Sequence, residues 1–357
     1  MVTGNGGYSA LPNNNYLISA TISITSQPSI AAFCAYDNAT INIVSTPVDG
    51  YQWQTLISGV WTDLNDDANH ANTHGQNLQI IAPPFTFDGK KYRVILRKNG
   101  NSCPVISSDV ILNLYDVPNI ISPVSLIQCD DDNDGFTTVN LRQKESSMAA
   151  TSNRVFTYYK TQMAAQAGDQ TSPAYIANPL NFYTNSAVVW VRVVDLTHGC
   201  HSVGQLNVTV TATQVPVSFV KKYYKCDDFL DSFGNNNSNN NDHDGIASFD
   251  FSSATADILL LLPPTGTYSV KYYKNFEDAS MEVDANGVSL EISQNPLATE
   301  NIYNYRNRTY PYQQNIWVRV ESTIDNACFG LGPYVQLEVE ALPIAYPYND
   351  DNIIRHC

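Results

Sequence analysis

The chain has 357 residues, 43% hydrophobic and only 15% charged, with a formal net charge of −15. That length points to two to four domains, and the hydrophobic content excludes a disordered chain. The acidic balance disfavours nucleic acid, which needs clustered Lys and Arg, and leaves cations as natural partners.

The opening "MVTGNGGYSALPNNN" lacks the basic and apolar stretches of a secretory signal, so an exported protein would carry its signal outside this segment. "YLISATISITSQP" (16–28) alternates as a strand with almost nothing before it, and residues 1–28 read as the C-terminal strand of an upstream domain. Residues 29–117 follow as a complete unit. In it "YQWQ" (51–54) places Trp53 as the core tryptophan of an immunoglobulin-like sandwich, and "DGKKYRV" matches a tyrosine corner in which Asp88 precedes Tyr92 and Tyr92 fastens to backbone. Val94 stands where the inter-sheet cysteine belongs, so Cys34 is expected to find Cys103 instead.

Two longer units come next, 118–214 and 215–342. "FTYYK" (156–160) answers "VKYYK" (270–274), "VWVRV" (189–193) answers "IWVRV" (316–320), and "HGC" at 200 answers "NAC" at 328. Each opens on Cys-Asp-Asp and closes on an alternating strand. Val189, Val191 and Val193, like Ile316, Val318 and Val320, form a buried face, as do Val139 with Leu141 and Phe249 with Phe251. Helical periodicity is nearly absent and the fold class is all-β: tandem immunoglobulin-like β-sandwich domains in a linear array. "ILLLLPP" (258–264) is the longest apolar run, too short to span a membrane, so no membrane insertion is expected of this segment. Residues 343–357 resemble the lead-in to a following repeat that stops on its opening cysteine, and the neighbouring repeats of the same chain are the first expected partners.

Seven cysteines divide as Cys34/Cys103, Cys129/Cys200 and Cys226/Cys328, one pair per unit, with Cys357 the first member of a further pair. Bridges closing such long loops stabilise by about 3–5 kcal/mol on the chain-entropy model and imply an oxidising, extracellular setting.

The loop "CDDDNDG" sets Asp130, Asp132 and Asp134 at alternate positions before Gly135, a spacing suited to a hard cation, with Ca²⁺ as cofactor. A solvated acidic turn uses the same residues. Loop position 12 is Leu141 rather than a bidentate Glu, and a strand follows, so this is no EF-hand. The third unit keeps Asp227, Asp242 and Asp244 around an Asn-rich insertion, Phe229 to Asn241. Asp195, brought near by a Cys129–Cys200 bridge, and Glu321 and Asp325 in the third unit are further candidate ligands. Strict alternation turns Trp190 and Arg192, and Trp317 and Arg319, away from the core towards Tyr159 and Tyr273. The four aromatic residues form either a structural ladder or a surface for stacking sugars.

"CDDDNDGFTTVNL", "FTYYKT", "VWVRV" and "GC" together resemble the repeats of very large surface adhesins of Bacteroidota, including the gliding-motility adhesins exported by type IX secretion. The likeness covers residues 118–342, while residues 29–117 resemble immunoglobulin-like domains of secreted Bacteroidota proteins. The resemblance implies a filamentous, cell-surface adhesin contacting polysaccharide or abiotic surfaces. A structural stalk displaying another binding domain is the alternative. A secreted carbohydrate-active enzyme is disfavoured: neither Gly-x-Ser-x-Gly nor a phosphate loop occurs, and "HGCH" (198–201) commits its cysteine to a bridge rather than to zinc.

Overall fold

A computed structural model describes residues 21–99, 103–324 and 327–342. The chain forms two compact units, one running to Val117 and taking in Thr197–Cys200, the other built from the rest, from Pro118 onward.

The first unit pairs two sheets. One runs Ile24–Ser29, Ala39–Ser45, Leu78–Ile80, His70–Ala71, and the other Val110–Ile111, Lys91–Arg97, Gly50–Ile57, Val60–Asp63. Alternation along these strands sends Ile41, Ile43, Trp53, Leu78, Ile80, Val94 and Leu96 into one core. Trp53 lies at its centre, with Nε1 donating to Gly75 O at 3.0 Å. Ile24–Ser29 pairs with Ala39–Ser45, so this stretch completes the first unit's own sheet rather than ending an upstream domain. The corner differs from expectation as well. Tyr92 is buried, but its hydroxyl meets His70 Nε2 at 3.1 Å, and it is Asp88 that reaches backbone, accepting from Leu114 N at 2.7 Å. His70 Nδ1 in turn lies 2.9 Å from Asp67, so an Asp–His–Tyr chain takes the place of the expected backbone anchor.

The second unit repeats one design. Val124–Asp130 runs parallel beside His201–Ala212, which is antiparallel to Ala187–Asp195, with Arg154–Tyr159 on the far edge. Lys221–Cys226, Cys328–Glu340, Gln313–Ser322 and Tyr268–Tyr273 reproduce that order. A two-stranded sheet faces each, Thr137–Val139 with Phe182–Thr184 and Ser248–Phe249 with Tyr305–Arg306. The valine faces and the Val139/Leu141 and Phe249/Phe251 pairs are buried between them.

Short helices follow the YYK strands, at Gln162–Ala167 and Phe276–Met281. Thr161 and Asn275 cap them, accepting from Ala164 N and Asp278 N. Six residues are too few for a 3.6-residue period to register, which is why only the caps mark them in sequence. Each helix lies over the outward aromatic face. Tyr159 packs with Ala164, Ala165 and Trp190, and Phe276 meets Trp317 at 4.8 Å beside Tyr273.

Replacing Trp53 by Ala should destabilise the first unit by about 3–5 kcal/mol. Denaturant unfolding should show the loss in one transition while the second unit's transition stays in place; coincident loss of both would contradict two independent cores.

Candidate functional site

The cysteines do not pair within units. Cys34 is bonded to Cys200, across 166 positions, and Cys129 to Cys328, across 199. The expected Cys34–Cys103, Cys129–Cys200 and Cys226–Cys328 pairs are all corrected: the opening cysteine of one domain joins the hairpin cysteine of the next. The reason is strand alternation. Leu126 packs into the core of its own sandwich, and Cys129, an odd number of residues along the same strand, belongs to the opposite face. Cys34 follows the pattern within the first unit, where the Thr197–Cys200 segment brings Cys200 to it and His198 stacks on Tyr115 at 3.9 Å. Cys226 is an exposed thiol.

Inside the second unit the Cys129–Cys328 bond is buried with Tyr273, Ala279 and Leu331, and Ile127 and Trp317 close the cluster. Beside it Arg319 is only 2% exposed. Its guanidinium donates to Glu321 and to Gln128 Oε1, lies 3.1 Å from Glu282, and reaches Ile127 O at 3.3 Å. Lys271 joins Glu321 at 2.8 Å and Glu282 at 3.3 Å. Burial opposes the charge on Arg319, but Glu282 and Glu321 outweigh it and hold the cation. Burial likewise pushes the Glu321 carboxyl up, while Arg319 and Lys271 prevail and leave it below the ordinary range. Gln128 also donates to Ser280 O at 3.2 Å and Asn140 to Met281 O at 2.8 Å, so side chains of the second repeat satisfy the end of a third-repeat helix. A cleft of about 650 Å³ opens alongside, lined by Arg142, Lys144, Glu145, Lys271, Glu282 and Glu321.

The acidic loop lies at the end of the same strand. Asp130 is buried and accepts from Asn133 N at 2.7 Å and Gly135 N at 2.6 Å. Asp134 accepts from Phe136 N at 2.7 Å. Gly135 has φ +87°, a left-handed turn that favours glycine. Carboxylate oxygens of Asp130, Asp132 and Asp134 come within 4.8 Å of one another, and among the described residues this is the group of three acids that converges so closely. Burial, followed by the charges of Asp132, Asp130 and Asp134, raises the carboxyl of Asp131 beside them.

The third repeat keeps part of this frame. Asp227 accepts from Gly245 N at 2.7 Å as Asp130 does from Gly135, and Asp244 from Ile246 N at 2.9 Å as Asp134 does from Phe136. The other Asp227 oxygen is buried without a hydrogen-bond partner, and burial first, then Asp244 and Asp228, raises the group. Asp242 departs from the expected set and pairs with His243 at 2.7 Å. The insertion has an organiser that spacing alone did not single out. Asp231 accepts from Phe233 N, Asn235 N and Asn237 Nδ2, the last at 2.6 Å, and Arg306 clasps Asp228 at 2.7 Å.

The remaining candidates fall elsewhere. Glu321 belongs to the Arg319 cluster, not to a loop. Asp195 ends the Ala187–Asp195 strand, and the Cys129–Cys200 bond expected to bring it near Asp130 is replaced by Cys34–Cys200 and Cys129–Cys328. Asp325 lies outside the described residues. Tyr159 and Tyr273 do share a face with Trp190 and Trp317, their register partners. Both tyrosines are nevertheless fully buried beneath the short helices, with Trp190 and Trp317 half-buried beside them.

A family model described as the Flavobacterium inter-domain disulphide bond domain matches residues 125–216 and 222–343. The chain belongs to this family. Its two inter-domain disulphide bond domains are the two segments that Cys129 and Cys328 join. No curated protein matches the chain. Similar solved structures include a tandem immunoglobulin pair of titin (11% identity, 54% of this chain and 97% of that one, TM-score 0.22). An I-band fragment of titin (8%, 90% and 99%, 0.23) and the Ig1-2 module of the Drosophila receptor protein tyrosine phosphatase DLAR (13%, 53% and 98%, 0.22) are others.

Glu321→Gln leaves Arg319 short of a counter-charge in a buried site and should cost the second unit roughly 3 kcal/mol. Because the Glu321 carboxyl is depressed in the folded state, its contribution is complete above the ordinary carboxylate range, near ~4.3, and disappears as pH falls through the folded value. The parent should therefore lose stability on acidification below about pH 4 more steeply than Glu321→Gln; parallel pH profiles would contradict the assignment.

Proposed function

We propose that this chain is a tension-bearing segment of a long extracellular filament of the Bacteroidota adhesin type, which supports attachment to surfaces or polysaccharide in gliding or adhesion. The observation that carries this reading is the interlaced pair of bonds. The loop closed by Cys34–Cys200 overlaps the loop closed by Cys129–Cys328, so a pull on the ends passes from Cys34 to Cys200, backward to Cys129, and on to Cys328. Such bonds belong to an oxidising compartment outside the cytoplasm. Within the adhesin reading, burial of Tyr159 and Tyr273 favours a supporting strand over a segment that itself stacks on sugar. Export by type IX secretion and cell-surface attachment belong to this proposal. No catalytic role is part of it.

Calcium belongs to it too. Asp130, Asp132 and Asp134 supply three hard oxygen ligands in a loop already bent by its own backbone bonds, and carbonyls and water would complete the six to eight that calcium takes. In the third repeat Asp227 and Asp244 would be the ligands.

Force spectroscopy tests the mechanical reading. Reduced chains should release the roughly 290 residues between Cys34 and Cys328, about 100 nm, whereas oxidised chains are confined to the roughly 70 between Cys129 and Cys200, about 25 nm. Equal release in both states would end it. For the metal, calcium added to chelated protein should raise the melting temperature of the second unit, and Asp132→Asn with Asp134→Asn should remove the shift. A melting curve insensitive to calcium would exclude the site.

A further inference from the structure

Val124–Asp130 and Lys221–Cys226 each lie at the edge of a four-stranded sheet and pair on one side only. The two edges differ in charge. Counted from Cys129 and Cys226, Lys221, Lys222 and Lys225 stand where the second repeat has Val124, Ser125 and Gln128. Lysine is a common guard on an open edge, because a charged side chain resists a further strand laid alongside. From Val124 to Cys129 the second repeat's edge carries no charge.

Alternate residues of a strand turn their backbone groups to opposite sides. Gln128 O faces its sheet partner, accepting from Thr211 Oγ1 at 3.4 Å, whereas Ile127 O faces outward, where Arg319 reaches it at 3.3 Å. Further along, the outward N–H of Cys129 is taken by Gln128 Oε1 at 3.2 Å. The chain's own side chains thus close that end of the edge. Before it, the N–H and C=O of Ser125 and the N–H of Ile127 point outward, and among the described residues no side chain takes them. Ser125, Leu126 and Ile127 line the cleft of about 650 Å³ beside the Arg319 cluster. A cleft of that size holds a short segment rather than a folded domain.

The charges that line the cleft are mostly matched. Arg142 meets Glu145 at 3.0 Å, Lys271 and Arg319 balance Glu282 and Glu321, and Asp284 accepts from Asn286 N and Val288 N of its own loop. The ammonium of Lys144 is left uncommitted. An occupant that satisfies this lining needs main-chain donors and acceptors alternating at strand spacing, together with a carboxylate. A sugar lacks that spacing, and an extended peptide has it. We propose that the cleft binds an extended acidic peptide of a partner protein, added as a strand to residues 125–127, with a Glu or Asp side chain of the peptide on Lys144. This goes beyond the filament reading and does not depend on it.

The test selects a random hexapeptide library, displayed on phage, on the oxidised full chain and titrates the enriched peptides by fluorescence anisotropy. They should be acidic. Their affinity should fall at least tenfold on Lys144→Glu and on Ser125→Pro, which removes an outward N–H that the sheet does not use. N-methylation of alternate peptide amides, which leaves the protein untouched, should lower it by a similar factor, and it decides the matter if Ser125→Pro shifts the melting temperature. No enrichment, or peptides whose binding survives both N-methylation and Lys144→Glu, would overturn the proposal. Hexagalacturonate retained by the parent and lost on Lys144→Glu, with no peptide enriched, would give the cleft to an acidic glycan instead.

Discussion

The bond between an edge-strand cysteine and the hairpin cysteine of the next repeat is the constraint around which the second unit is arranged. Cys129 could not be buried by its own sandwich, since its strand turns it away from that core, so it needs a neighbour to cover it. Once Cys328 supplies that cover, the surrounding groups must also be satisfied. Arg319 enters the same region with Glu282 and Glu321 to balance it, and Gln128 closes the last acceptor position. A buried ion cluster of this kind contributes little net stability against an apolar equivalent, but it tolerates only one arrangement of donors and acceptors. Sulfur fixes the connection, and the charges fix its register.

Much of the fold was legible because strands write their faces in alternate residues. The valine rows at 189–193 and 316–320, the Trp53 core and the doubling of the Cys-Asp-Asp units all follow from that period. The bonding scheme did not, because an in-unit and a shifted pairing use the same cysteines at the same spacings. One signal was available: Leu126 and Cys129 are three apart on a single strand, so both cannot face one core. The aromatic ladder was legible only as far as its shared face. Alternation gives the direction in which Tyr159 and Tyr273 point but not what covers them, and the six-residue helices that do so carry no period of their own.

The acidic loops illustrate how one residue type serves two ends. In "CDDDNDG" the carboxylates hold backbone amides, Asp130 those of Asn133 and Gly135, Asp134 that of Phe136, and so build the bend in which carboxylate oxygens of Asp130, Asp132 and Asp134 converge. Spacing in the sequence encoded this loop well. In the third repeat the insertion separates the anchor from the bend, yet Asp227 still finds Gly245 across 18 positions. Asp231 folds the added stretch around itself through contacts among Asn side chains and amides that no periodic pattern announces.

The shifted pairing also imposes an order in time. No repeat can finish its own covalent structure, because the thiol of Cys129 has no mate until the hairpin bearing Cys328 has been made and folded. Oxidation that runs ahead of folding would offer Cys129 the nearer Cys200 and trap the chain in the wrong pairing. Maturation must therefore advance domain by domain along the chain, each newcomer sealing the one before it.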